Sequence, residues 1–294
     1  MELKKELTRL SAAEQSEIAT FLSQLRRKAD ADYQAPLNLP GKLYKYRRIN
    51  VNTIQAIVCS AVYFPEPAKL NDPFDCKLCP TNHAGTEKEY REFFTKVAKR
   101  TLSPDKVTDV VNQMIRSGVH RNPQKMNQCW EDTQKEENKK RGVFCLSADP
   151  ANVLMWSHYT DDHKGCCLEF STAESFFKTA RIVKYPQEYP KHRLLDYVNN
   201  HELLYKLTLF TKANLWEYEQ EWRVLDSGKS VKGSGLYKFE KEALTGIIFG
   251  CQMIPEHKDL VRRLVAERNP PVHLYEAKPC DGEFKMDIVP IAPP

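Results

Sequence analysis

A chain of 294 residues, 41% hydrophobic and 10% aromatic, carries enough apolar mass for a large core, which excludes a disordered chain. Its net charge of +5 comes from 44 basic and 39 acidic residues, a surplus that permits an acidic partner without demanding one. No stretch approaches the ~18 consecutive apolar residues of a membrane span, and the opening MELKKELTRL lacks the apolar run of an export signal. A cytoplasmic protein with no membrane partner is the expectation. The odd cysteine count and the apolar setting of VFCL and GCCLEF fit free, buried thiols.

In chain order, residues 1–30 read as a helical arm. Leu3, Leu7 and Leu10 share one face, and Ser11 to Glu14 make a capping box before the run Ile18, Phe21, Leu22 and Leu25. Residues 31–42, with Pro36 and Pro40, form a linker, so the arm is a candidate for oligomerisation. A single α+β domain follows over 43–294. It opens on a strand at 43–48 and continues with a helix at 51–60 and a strand at 61–65. After a loop at Asn71–Asp75, a helical insertion occupies about 85–141, with a start signal at Ser103-Pro104-Asp105. Strands are expected at 143–147, 166–170, 181–185, 221–225, 246–250, 272–277 and 284–291, with helices near 151–159, 192–213 and 255–268. The alternation is too irregular for a doubly wound sheet, so a mixed or antiparallel sheet with flanking helices is expected.

Several constellations carry chemistry. Glu219 and Glu221, two residues apart, face the same way if they lie on one strand, and paired carboxylates repel unless a cation or ligand hydroxyl intervenes. The ordinary reading is a solvated edge strand whose glutamates pair with Arg223 or a lysine across the sheet. On a helix at 151–159, Met155 and Tyr159 share a face and His158 stands near Leu154, offering stacking surface and acid–base groups; its plain alternative is a core helix packed by Trp156. Asn71 to Asp75 reads first as a turn, although Asp72 and Asp75 with Glu219 and Glu221 would make a hard oxygen site for magnesium. Cys76-x-x-Cys79 with His83 is half a zinc site whose other half would come from Cys129 or His120; without paired spacing, no metal is expected. The strand Tyr44-Lys45-Tyr46-Arg47-Arg48 could stack bases and meet phosphates, or be an ordinary edge strand.

Four segments together resemble a bacterial family, the domain of unknown function 2971: LYKYR at 43–47, LNDPFDC at 70–76, CLSAD and LMWSHYTDDHKGCCLEF within 145–170, and WEYEQEWR at 216–223. The order of elements is also similar to ADP-ribosyltransferase-like proteins, whose split β-sheets bind NAD. What this second resemblance implies is an NAD-using ADP-ribosyltransferase or NAD glycohydrolase, a defence or toxin effector with a protein or nucleic-acid acceptor. Under it, Arg47 clamps the diphosphate, Ser147 positions the nicotinamide ribose, Glu221 stabilises the charge developing on that ribose and Glu219 serves the acceptor. Tyr44, Trp156, His158 and Tyr159 complete the NAD pocket, and Arg47, Ser147 and Glu221 should converge on one cleft. The rivals are a magnesium-dependent nuclease and a non-enzymatic nucleic-acid or protein-binding module.

Overall fold

The computed structural model describes residues 38–77, 80–99, 102–139, 141–198, 207–226 and 233–291. The arm at 1–30, the linker up to residue 37 and Cys79 lie outside the described residues.

Strand β1 (Lys42–Arg47) obeys the alternation of its sequence, burying Leu43 on one face and Tyr46 on the other. Asn50 caps α1 (Val51–Cys59) by accepting from the Thr53 amide at 3.1 Å. Ser60, in the left-handed region, ends that helix and turns the chain into β2 (Ala61–Phe64). The insertion is helical, as its periodicity predicts: α2 (Glu87–Ala98), α3 (Pro104–Arg116) and α4 (Pro123–Lys139). A capping box between Thr86 and Glu89 starts α2, and Pro104 with Asp105 starts α3. Tyr90, Phe94, Val107, Val111 and Ile115 bury the apolar faces of α2 and α3 against Leu194 and Leu195 of the main body.

The remaining elements are β3 (Val143–Ser147), α5 (Val153–Tyr159), β4 (Cys166–Ser171), β5 (Arg181–Ile182), β6 (Glu221–Leu225), β7 (Gly235–Lys238), β8 (Leu244–Phe249), α6 (Pro255–Ala266), β9 (His273–Pro279) and β10 (Met286–Pro290). Eight strands form one sheet in the order β10-β9-β8-β4-β1-β3-β6-β5. Each neighbouring pair is antiparallel except β8–β9, where α6 supplies the crossover a parallel pair needs. The protein is thus α+β with a mixed, mostly antiparallel sheet. One core, with Ala56, Ile57, Val261 and Val265, sits between the sheet and α1 and α6; another, with Tyr46, Met155 and Trp156, sits under α5. No helix among the described residues is long and apolar enough to cross a membrane.

Three expectations change. A strand forms at 235–238, where none is expected, pairing with β2 in a separate two-stranded sheet. The strand expected at 181–185 shortens to two residues. Of the helix expected over 192–213, Leu194–Val198 form a 3-10 helix, residues 207–209 are helical and 199–206 lie outside the described residues, while Lys212 already lies in the connection to another 3-10 helix at Asn214–Glu219. Positioning of the site turns on one further feature. β1 pairs with β4 along its whole length but with β3 only at Tyr44 and Ser147, so the sheet parts between β1 and β3. The Lys45 amine donates to the Cys145 carbonyl across that gap at 2.6 Å.

Candidate functional site

Where the sheet parts, the register sets Tyr44, Ser147 and Glu221 abreast on three neighbouring strands, on one face of the sheet. They line a cavity of about 240 Å³ together with Met155 and Tyr159 of α5 and Glu219. Lys69 and Asn71 belong to its wall as well. Glu219 is not on the strand. It ends the 3-10 helix at 214–219, Gln220 takes a left-handed conformation (φ 44°, ψ 51°), and β6 begins at Glu221. That single reversed residue brings the two carboxylates together.

Lys212 bridges them, its amine donating to Glu219 Oε2 at 2.6 Å and Glu221 Oε2 at 3.2 Å. Arg223 then grips Glu221 through Nε at 2.7 Å and Nη2 at 2.9 Å, and takes Asp75 bidentately at 2.8 and 2.6 Å. None of these five side chains is more than 5% exposed. Burial alone would push the Glu221 carboxyl up, but Arg223 and Lys212 outweigh it and hold it down at about 2. For Lys212 burial works against the charge, and Glu221 and Glu219 overcome it, raising the amine. Burial, with Glu219 beside it, raises the Tyr159 hydroxyl well above its usual range, so it stays protonated. It donates to Glu219 Oε1 at 2.6 Å and accepts from Asn71 Nδ2 at 2.8 Å.

The family described as a protein of unknown function (DUF2971) matches residues 155–224. That stretch is about a quarter of the chain. No curated protein and no solved structure matches. The match supports the resemblance to that family over two of the four motifs, the segment running on from Met155 and WEYEQEWR, and it contains Tyr159, Lys212, Glu219, Glu221 and Arg223.

Of the residues expected at the site, Tyr44, Ser147, Tyr159, Glu219 and Glu221 come together and three do not. Arg47 is a correction: it faces the opposite side of the sheet, its guanidinium 5.9 Å from the Phe144 ring, and its strand partner Cys166 packs in the same cluster as Phe144. Period-two alternation is the cause, because Tyr46 takes the cavity side and its neighbour must take the other. Trp156 is fully buried, edge-on to Tyr46 at 5.2 Å, with Nε1–H donating to the Pro150 carbonyl at 2.9 Å, so it is packing and offers no stacking face. His158 is exposed, its Nδ1 3.3 Å from the Tyr218 hydroxyl, and does not line the cavity. Ser147 lines the cavity, but its hydroxyl is engaged by Asp149, accepting from the amide at 3.1 Å and donating to the carbonyl at 3.2 Å.

The oxygen site imagined for magnesium is occupied by cations of the protein, since Arg223 holds both Asp75 and Glu221, and Asp72 Oδ1 accepts from Phe74 in its turn. Of the zinc half-site, Cys76 Sγ lies 3.5 Å from Asp75 and from Arg223, inside this network, and Cys79 lies outside the described residues. The plain reading of the glutamates was half right: Glu221 does pair with Arg223, yet on a strand flanked by β3 and β5 and out of water. Lys212 is the residue sequence reasoning misses. It lies in a stretch expected to be helical, and nothing in its spacing ties it to the acids.

Proposed function

We propose that the protein is an enzyme of glycosyl transfer or hydrolysis that seats a ribosyl group in the cavity between β1 and β3, with Glu219 as the working carboxylate. The observation that carries this reading is Glu219 itself: 4% exposed, on the cavity wall, held by the Tyr159 hydroxyl and the Lys212 amine at 2.6 Å each. Three carboxylates (Asp75, Glu219, Glu221) stand against three cations (Lys212, Arg223 and the Lys45 amine on the cavity wall), and Glu219 is the cavity-lining carboxylate that Arg223 does not hold. Such a fixed charge in a dry wall is what a ribosyl carbon gaining positive charge requires. The roles inferred from resemblance shift accordingly. Glu221, saturated by Arg223 and Lys212, holds the frame, and Glu219 takes over charge stabilisation.

NAD remains the substrate of choice, because its ribose already bears a cationic leaving group. Arg47 plays no part in holding its diphosphate; Lys69, on the cavity wall and half exposed, is the cation within reach. A magnesium nuclease would have to strip Arg223 and Lys212 from the carboxylates it needs, and no observation favours a pure binding module. The test is NAD affinity and nicotinamide release for wild type and Glu219→Gln, with water or candidate macromolecules as acceptor. Binding should survive the substitution while release falls roughly 100- to 1,000-fold. A wild-type protein that neither binds NAD nor releases nicotinamide would overturn the reading.

A further inference from the structure

The cavity between β1 and β3 is lined by several groups able to attack an electrophilic carbon, and most of them are engaged elsewhere. The Ser147 hydroxyl accepts from the Asp149 amide at 3.1 Å and donates to its carbonyl at 3.2 Å. Burial and the neighbouring Glu221 push the Cys145 thiol well up, so it keeps its proton and is a poor nucleophile. The Lys212 amine is shared by Glu221 and Glu219, which outweigh its burial and hold it charged. Tyr159, raised by burial and by Glu219, stays protonated and donates to that carboxylate. Lys69 is half exposed and pairs with Glu66 at 3.5 Å.

Lys45 differs. It lines the same cavity, its amine donates to the Cys145 carbonyl at 2.6 Å, and the Phe144 ring lies 5.0 Å away. Among the described residues no carboxylate pairs with it. Burial, reinforced by Arg47, lowers the amine to about 8 against the opposing pull of Cys145, Glu221 and Glu219, so part of it is free base at neutral pH. The carbonyl engages one N–H and leaves the lone pair of the free base available. A desolvated amine beside a second cation is one of the ways a lysine becomes a nucleophile. We propose that Lys45 attacks the anomeric carbon of the ribosyl group and holds it covalently, an inference that rests on reading the cavity as a ribosyl site.

The Lys45 lone pair bonds to the anomeric carbon as the bond from that carbon to the nicotinamide nitrogen breaks, its electron pair leaving with neutral nicotinamide. The attached nitrogen then passes a proton to the ribose ring oxygen. The ring C–O bond opens with its electrons on oxygen, the nitrogen pair closes a C=N bond, and an iminium joins the lysine to the open sugar. Water adds to the iminium carbon and releases the free amine, the sugar aldehyde and one proton. Glu219, on the same cavity wall, offsets the positive charge carried by the sugar.

The experiment incubates the full chain with NAD or, separately, with ADP-ribose, whose aldehyde enters by the last step in reverse. Cyanoborohydride present throughout reduces the iminium to a stable secondary amine. Peptide mass spectrometry should place one ADP-ribosyl group per chain on Lys45, in preference to exposed lysines, and Lys45→Arg should lose it. If nicotinamide is released yet NAD leaves no adduct on Lys45, the covalent route is overturned and the ribosyl reading stands. If NAD is untouched while ADP-ribose modifies Lys45, the role of the lysine stands and NAD is overturned as the substrate. No adduct from either compound, or one spread evenly over the lysines, overturns the proposal. Mapping on the wild type keeps the test decisive if Lys45→Arg fails to fold.

Discussion

Lys45 is a residue whose charge the fold disfavours. Burial, reinforced by Arg47 two positions along the strand, lowers its amine to about 8, and its hydrogen-bond acceptor is the Cys145 carbonyl, a neutral group. A base whose folded pKa lies below its ordinary value binds fewer protons in the folded chain, so stability rises with pH across the interval between the two. Wild type should therefore gain stability relative to Lys45→Met between about pH 8 and 10.5, by roughly 3 kcal/mol at the upper end. Urea midpoints of the two proteins across that range check it, and parallel pH curves would contradict it. Arg223 presents the opposite case. It is fully buried and compensates both Asp75 and Glu221, so Arg223→Met leaves those carboxylates short of a cation in a dry interior. Destabilisation of roughly 3–5 kcal/mol is expected from equilibrium unfolding. Arg223 was legible as a partner of Glu221 because it stands two residues along the same strand. Its bond to Asp75 was not, since nothing in a sequence joins residues 148 positions apart.

At the scale of elements, the end of α5 sets the site, because Tyr159 occupies its last turn. The chain leaves that helix through three consecutive left-handed residues, Asp161, Asp162 and His163, at φ 56°, 53° and 66°. Two glycines clasp this turn to the sheet. The Gly250 amide donates to the Gly165 carbonyl at 2.9 Å and the Gln252 amide to the His163 carbonyl at 3.1 Å. A Cβ on Gly250 would meet the His163 carbonyl oxygen at 2.0 Å, and one on Gly165 would meet that of Arg47 at 2.2 Å. Both obstacles are backbone, which cannot swing aside. Gly250→Ala should thus cost roughly 3 kcal/mol and displace Tyr159 from Glu219, measurable as a lowered Tm and, under the proposed function, as lost nicotinamide release. Periodicity made α5 and the strands around it legible, and it also explains what was misjudged. The spacing of the two glutamates suited a shared strand, although the strand expected at 221–225 holds Glu221 alone. A single left-handed Gln220 produces the same convergence by another route, and no propensity announces it. Arg47 shows the converse, for the strand was expected where it forms, but which face met the cavity depended on the helix packed above it.

The whole molecule divides its apolar mass unequally. The sheet carries cores on both faces, whereas the insertion has its own, to which the main body contributes buried Leu194 and Leu195 and, at its edge, Leu207. A fold class, an insertion and its limits were readable from period and caps; the strand order was not, because it depends on contacts between distant segments, as where β1 sits between β4 and β3. Polar ties beside the leucines include Arg193 to Glu89 at 3.2 Å, the Asn138 amide to the Cys76 carbonyl at 2.9 Å, and backbone bonds from Thr81 and Asn82 to His192. An element held by one small cluster opens with that cluster, and so forms a cooperative unit of lower stability than the sheet. Leu194 is 2% exposed at the centre of the contact. Truncating it to alanine removes buried methyl groups and leaves a cavity, at roughly 2–5 kcal/mol, nearly all of it drawn from the docking of the insertion. In hydrogen exchange, the amides of α2 and α3 should exchange faster in Leu194→Ala by a factor on the order of a hundred, those of β4 and β8 hardly at all. A uniform acceleration over sheet and insertion would mean instead that the two unfold as one.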